Sequence, residues 1–198
     1  MNEFEHVKKI INKNKGIITS SEAKSCGINN KTLQRMTMSG DLIRLEKGLY
    51  TDPNQMEDAF FITQYRCKKG IFSHETALYF HELTDRTPME LMLTIPSGYN
   101  TRLINDKENY KFFYVNDKLH SIGKITLMTP FGHEVQVYDK ERTLCDCLKK
   151  KEQLDGDVVN NAIKQYMKMP GADFAKLLRY AEIFNLTSLV RSYLEVLI

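Results

Sequence analysis

The chain has 198 residues, 42% of them hydrophobic, and a formal net charge of +3, so it can bury a sizeable core as one domain or two small ones. No stretch approaches the roughly 20 apolar residues of a membrane span, and the first six residues include two glutamates and no apolar run, so a cytoplasmic protein without membrane attachment is expected. Cysteines at 26, 67, 145 and 147 form neither a CxxC pair nor a dense disulfide set, which excludes a disulfide-stapled scaffold.

In chain order, Phe4, Val7, Ile10 and Ile11 follow helical spacing and Gly16 closes that helix. Ile17 and Ile18 form a short extended segment. Thr19 and Glu22 make a capping box, in which hydroxyl and carboxylate each satisfy a backbone N–H at a helix start. Gly27 ends this second helix by taking positive φ without penalty. Asn29 caps a third, whose start is clamped by Ile28 packing toward Leu33. Two helices about three residues apart have helix-turn-helix spacing. Leu33 and Met36 fall on the inner side of the third helix. Lys31 and Arg35, four apart, share its outer side with Gln34. Gly40 stops the helix, and segments 42–45 and 49–51 form two short strands around Glu46-Lys47-Gly48, a wing.

This pattern predicts a DNA-binding winged helix. Lys31, Gln34 and Arg35 are placed to read base edges in the major groove, where a bidentate Arg–guanine or Gln–adenine pair contributes about 1–3 kcal/mol of discrimination. Asn30 and Thr32, near the helix start, are candidates for base or phosphate contacts. Arg44 and Lys47 on the wing, and Lys24 on the first helix of the motif, are candidates for phosphates. Residues 1–52 carry nine Lys/Arg against six Asp/Glu and residues 53–198 carry nineteen of each, so the positive excess lies on this half.

Beyond a turn at 52–54, a helix is expected over 56–67, stopped by Lys68-Lys69-Gly70. Ser73 opens another, packed through Ala77, Leu78, Phe80 and His81. Asp85-Arg86-Thr87 before Pro88 reads as a hinge, which divides the chain into a DNA-binding domain at 1–84 and an α+β domain at 85–198. Strand patterns follow at 91–95, 110–115, 124–128 and 133–138. Asp139 then caps the first of four helices at 140–150, 157–168, 172–184 and 187–197. The expected fold class is α+β: a winged helix-turn-helix, then a small antiparallel sheet covered by C-terminal helices.

His74 and His81 lie two turns apart rather than at the i, i+4 spacing of a zinc helix, so packing and hydrogen bonding are expected of them and no metal. Glu141 and Asp146, five apart, diverge by roughly 140° around a helix and do not make a catalytic pair. Asp139 capping the helix and Arg142 pairing across it is the simpler reading, with Leu144, Leu148 and Cys145 or Cys147 as a buried stripe. Lys149-Lys150-Lys151 suits a helix C-terminus. No Gly-rich phosphate loop or nucleophile elbow is present, so neither an enzyme nor a cofactor is expected.

Two segments outside the helix-turn-helix carry a family resemblance. Residues 73–83, SHETALYFHEL, followed by a Thr-Asp-Arg turn and the strand MLTIP, and residues 138–148, YDKERTLCDCL, resemble two signatures of the AbiEi family, antitoxins of the AbiE abortive-infection toxin–antitoxin systems. With the helix-turn-helix they cover residues 19–148 in the family's order. The resemblance implies a type IV antitoxin, which counteracts a nucleotidyltransferase-like toxin through its C-terminal domain without forming a stable complex. It also implies an autorepressor whose winged helix binds inverted repeats in its own promoter. A monomer that associates on DNA is expected, since two separate monomers can fill an inverted repeat. It makes Lys140 and Arg142 candidates for a toxin-neutralising surface. The alternative is a transcription regulator whose C-terminal domain binds a ligand or protein and which has no antitoxin role.

Overall fold

The computed structural model describes residues 2–197. The chain divides into two compact units, Met1–Ile62 with Pro130–His133, and Thr63–Thr129 with Glu134–Ile198.

The first unit contains helices α1 (Glu3–Lys13), α2 (Ser20–Ser25) and α3 (Asn30–Met38), and strands β1 (Ile17–Thr19), β2 (Ile43–Glu46) and β3 (Leu49–Thr51). Both halves of the capping box form at Thr19 and Glu22. Gly27 has a φ of +75° where α2 turns toward α3, a left-handed conformation that a β-carbon resists. Val7 and Ile11 of α1 pack on Ala23, Ile28, Leu33 and Met36, with Ile18, Leu42 and Tyr50 completing the core. The strands form an antiparallel sheet in the order β1-β3-β2.

The chain passes from the first unit to the second along α4 (Ala59–Arg66). The second unit holds a five-stranded sheet of β4 (Ile71–Phe72), β5 (Leu91–Pro96), β6 (Tyr110–Val115), β7 (Lys124–Met128) and β8 (Glu134–Tyr138), in the order β6-β5-β4-β8-β7. The sheet is mixed, which corrects the antiparallel expectation: β5 runs parallel to β6, and β4 parallel to β8. The cause is β4. This two-residue strand has no predicted counterpart, yet it is buried on both sides at the centre of the sheet and joins the β5–β6 pair to the β7–β8 hairpin.

The helices of this unit are α5 (His74–Phe80), α6 (Asp117–His120), α7 (Lys140–Lys149), α8 (Gly156–Lys168), α9 (Phe174–Ile183) and α10 (Thr187–Leu197). Every residue of α7 from Glu141 to Leu148 is buried. Its Leu144, Cys145, Cys147 and Leu148 meet Leu78 of α5, Val159 and Ile163 of α8, Leu177 and Ala181 of α9, and Val190 of α10 in one apolar cluster. Arg86 Nη1, in the segment expected to be a hinge at 85–87, forms an exposed ion pair with Asp155 Oδ2 at 2.6 Å, and the two compact units divide at Ile62/Thr63.

Candidate nucleic-acid interface

The exposed face of α3 is built from its start. The Asn29 side chain accepts from Lys31 N–H at 3.0 Å, which satisfies one of the free backbone donors of the first turn. Leu33 and Met36 face the core, and Lys31, Gln34 and Arg35 stand exposed together on the other side. Asn30 is exposed at the helix start, and Lys24 is exposed on α2. On the β2–β3 hairpin Arg44 and Lys47 are both exposed, and Arg44 Nε donates to the Glu46 carbonyl at 3.2 Å. Of the eight residues expected at DNA, seven are thus at the surface.

Thr32 is the exception. It is only 1% exposed, because it lies four residues before Met36 and shares that residue's inward side. Its hydroxyl donates to Glu3 Oε2 and accepts from Arg35 Nη2 at 3.3 Å. The Arg35 guanidinium lies 5.8 Å from the centroid of the Phe4 ring. An open groove of about 580 Å³ runs along this face, lined by Glu3, Lys31, Gln34, Arg35 and Met38 among others. Three contributors are absent from the sequence reading: Glu3 and Phe4, which are distant in sequence from α3, and Met38, which is 88% exposed at the end of the helix.

In the second unit Lys140 is half-buried at the start of α7, with Nζ 3.1 Å from Met169 Sδ. Arg142 is fully buried, which overturns its assignment to a neutralising surface. Its guanidinium lies 4.2 Å from the Tyr138 ring centroid and 4.1 Å from that of Phe184. Nη1 donates to the carbonyls of Leu119 and Ile122. The side chain serves the fold: Asp146 takes Nε, the two carbonyls take Nη1, and the guanidinium lies over two rings.

The neighbouring acids are committed in the same way. Asp139 caps α7 by accepting from Arg142 N–H, and Lys176 Nζ lies 3.0 Å from both Asp139 Oδ2 and Glu141 Oε2. Tyr180 donates to Asp139, and Tyr166 to Glu141. Burial opposes the charge on Lys176, but the two carboxylates outweigh it and hold the ammonium above its usual range. Burial pushes the Asp146 carboxyl up to about 6 against the pull of Arg142.

The two histidines of the 73–83 segment are packed and bonded. His74 stacks on Phe113 with ring centroids 3.5 Å apart, and its Nδ1 lies 2.9 Å from Ser73 Oγ. His81 Nε2 lies 2.6 Å from the Tyr138 carbonyl, which only accepts, so that nitrogen carries the proton. Among the described residues no three His, Cys, Asp or Glu side chains converge as metal ligands, and no helix is long and apolar enough to cross a membrane.

Residues 7–51 match the family model described as "Transcriptional regulator, AbiEi antitoxin". Over that segment, from Val7 of α1 to the end of β3, the match bears out the AbiEi resemblance and supports a regulator's role; the family described is one of regulators and antitoxins, not of enzymes. No curated protein matches the chain. Among solved structures, the chain is similar to the crystal structure of the RV2827C protein from Mycobacterium tuberculosis, with a TM-score of 0.60 and 10% identity over 91% of this chain and 71% of that one. At that identity the likeness is one of fold.

Proposed function

We propose that the first unit is a winged helix-turn-helix that binds an inverted repeat in its own promoter and represses its operon, and that the second unit counteracts a nucleotidyltransferase-like toxin in the cytoplasm without forming a stable complex with it. The observation that carries the DNA-binding half is the exposed set Lys31, Gln34 and Arg35 on capped α3, in one unit with a hairpin presenting Arg44 and Lys47, within the residues that match the family. With α3 in the major groove, Arg35 and Gln34 offer bidentate geometry to guanine and adenine edges. The hairpin cations, with Lys24 and Asn30, hold phosphates, which set register and supply affinity without reading sequence.

The antitoxin half rests on the family match and on the 73–83 and 138–148 signatures. Of the two residues first assigned to a neutralising surface, Lys140 is the one with a side chain partly open to solvent. A second reading, a regulator that responds to a ligand and has no antitoxin role, is favoured by a groove of about 530 Å³ in the second unit, lined by Glu75, Arg86, Glu90, Lys111 and Asp155 among others.

The test is a gel-shift titration of the whole protein on DNA from immediately upstream of its coding sequence, beside random DNA and the Arg35→Ala variant, followed by rescue of cells arrested by the neighbouring toxin. Specific binding lost in the variant, together with rescue, supports both halves. Equal binding to random DNA sinks the operator reading, and specific binding without rescue leaves the ligand-responsive regulator.

A further inference from the structure

Thr32 is nearly inaccessible, yet its hydroxyl sits between a carboxylate of α1 and the guanidinium that the proposed interface needs most. A hydroxyl has one proton to give and lone pairs to accept with. Thr32 gives its proton to Glu3, so the oxygen that faces Arg35 Nη2 is left as an acceptor, at 3.3 Å. The Phe4 ring, one residue after Glu3, faces the same guanidinium with its centroid 5.8 Å away. Arg35 is therefore held on one side by a hydroxyl whose direction Glu3 sets and on another by an aromatic face, while the rest of its fork stays open along the groove.

We propose that Glu3 and Thr32 are positioning residues for base reading by Arg35: they hold the guanidinium in a fixed rotamer, so that the start of α1 contributes to the choice of DNA sequence without touching it. This inference rests on the proposed α3–DNA interface and extends it to two residues outside the contact surface.

The physical ground is entropic. A free arginine side chain carries about 2 kcal/mol of rotamer entropy, and bidentate recognition of guanine requires one planar orientation. Holding that orientation before binding removes part of the ordering cost. The benefit falls on specific DNA alone, because a phosphate contact accepts a charge from many directions. Glu3 is itself anionic and close to the interface, so its carboxylate would weaken binding to every sequence through simple repulsion. Loss of specific affinity on removing it separates the positioning role from a bare charge effect.

The experiment is a titration of the whole protein on the upstream duplex and on a random duplex of equal length, at one salt concentration. The variants are Thr32→Val, Thr32→Ser, Glu3→Ala, Arg35→Ala and the double variant Thr32→Val/Arg35→Ala. Thr32→Val keeps the volume and removes the hydroxyl, and Thr32→Ser keeps the hydroxyl. The expected result is a loss of about tenfold on the upstream duplex for Thr32→Val and Glu3→Ala, little change on random DNA for Thr32→Val and equal or tighter binding to it for Glu3→Ala, recovery in Thr32→Ser, and no further loss when Thr32→Val is added to Arg35→Ala.

If Arg35→Ala itself leaves the specific-to-random ratio unchanged, the interface reading fails and this inference with it. If Arg35→Ala collapses the ratio while Thr32→Val and Glu3→Ala leave it intact, or if Thr32→Val costs as much in the Arg35→Ala background as alone, the positioning role is overturned and the interface stands. Circular dichroism checks that Thr32→Val is folded; should it not be, exposed Glu3→Ala and its double variant with Arg35→Ala decide the matter.

Discussion

Arg142 Nε donates to Asp146 Oδ2 at 2.9 Å, one turn along α7, with no part of the arginine side chain exposed. The pair belongs to a wider arrangement in which Nη1 reaches the carbonyls of Leu119 and Ile122, and the guanidinium plane is faced by Tyr138 and Phe184. Among the described residues Nη2 has no hydrogen-bond partner. One side chain thus ties α7 to the segment before β7, to the end of β8 and to the end of α9. Removing one member of a buried pair leaves the other uncompensated, at a cost of roughly 3–5 kcal/mol.

Arg142→Met should therefore destabilise the second unit by that amount, read by urea unfolding followed with circular dichroism. Arg142→Lys should recover little, because a point ammonium cannot serve two carbonyls and a carboxylate while lying flat between two rings. Wild-type stability in the lysine variant would show that charge alone, not the planar fork, holds the site together.

The buried histidines set a pH dependence. Burial first, and then the charges of Arg142, Lys111 and Lys150, hold His74 well below its usual range. Burial also lowers His81, against the pull of the Tyr138 carbonyl. Below pH about 6.5 the unfolded chain then binds protons that the folded chain refuses, so stability is lost as pH falls toward the folded values. Asp146, raised to about 6, acts in the opposite sense: the folded state takes up its proton first, which offsets part of the loss between pH 6 and its ordinary value. Stability should fall from pH 7.5 to 5.5. The fall should be shallower in His74→Asn, since asparagine tolerates the φ of +51° at that position, and steeper in Asp146→Asn. An unchanged slope in His74→Asn would count against the histidine.

What could be read in the sequence and what could not follow one physical line. The exposed side of α3 was legible because helical periodicity and the Asn29 cap are local. Thr32 carried a local sign too, its i, i+4 relation to Met36, which places it inward. The partners that define Arg142, by contrast, come from residues 119, 122, 138 and 184, and only Asp146 stands at a spacing that local reading detects. Strand β4 was invisible because two residues carry no alternation, although from the sheet centre they join β5 to β8. Glu3 and Phe4 sit on a helix whose inner side was read correctly, and their link to α3 crosses about thirty residues of chain.

Salt dependence separates the two kinds of proposed DNA contact. Arg44→Ala and Lys47→Ala should weaken binding to specific and random duplexes alike, each reducing the slope of log affinity against log salt by about one phosphate's share. Arg35→Ala should relax base preference instead. Measured from 50 to 200 mM salt, a specific-to-random ratio that drops in the hairpin variants as far as in Arg35→Ala would remove the distinction between positioning and reading contacts.

The boundary of the second unit makes a prediction about dissection. A fragment cut at the expected hinge, residues 85–198, lacks α5 and β4. Without β4 the β5–β6 pair has no hydrogen-bonded connection to the β7–β8 hairpin, since β4 is the strand that pairs with both β5 and β8. Without α5 the helical core loses Leu78, and Leu83 just beyond the helix goes with it, both fully buried. Two separate strand pairs under an incomplete helical layer expose four edges where the intact sheet has two, an arrangement prone to association. Residues 85–198 should accordingly be aggregated or rapidly proteolysed, whereas 63–198 should give a folded circular dichroism spectrum and resist limited proteolysis. Rescue of toxin-arrested cells, if the second unit carries it, should follow folding, present with the longer fragment and absent with the shorter. A stable 85–198 fragment that rescues cells would mean that β4 and α5 are dispensable to this sheet, and the central place assigned to a two-residue strand would have to be given up.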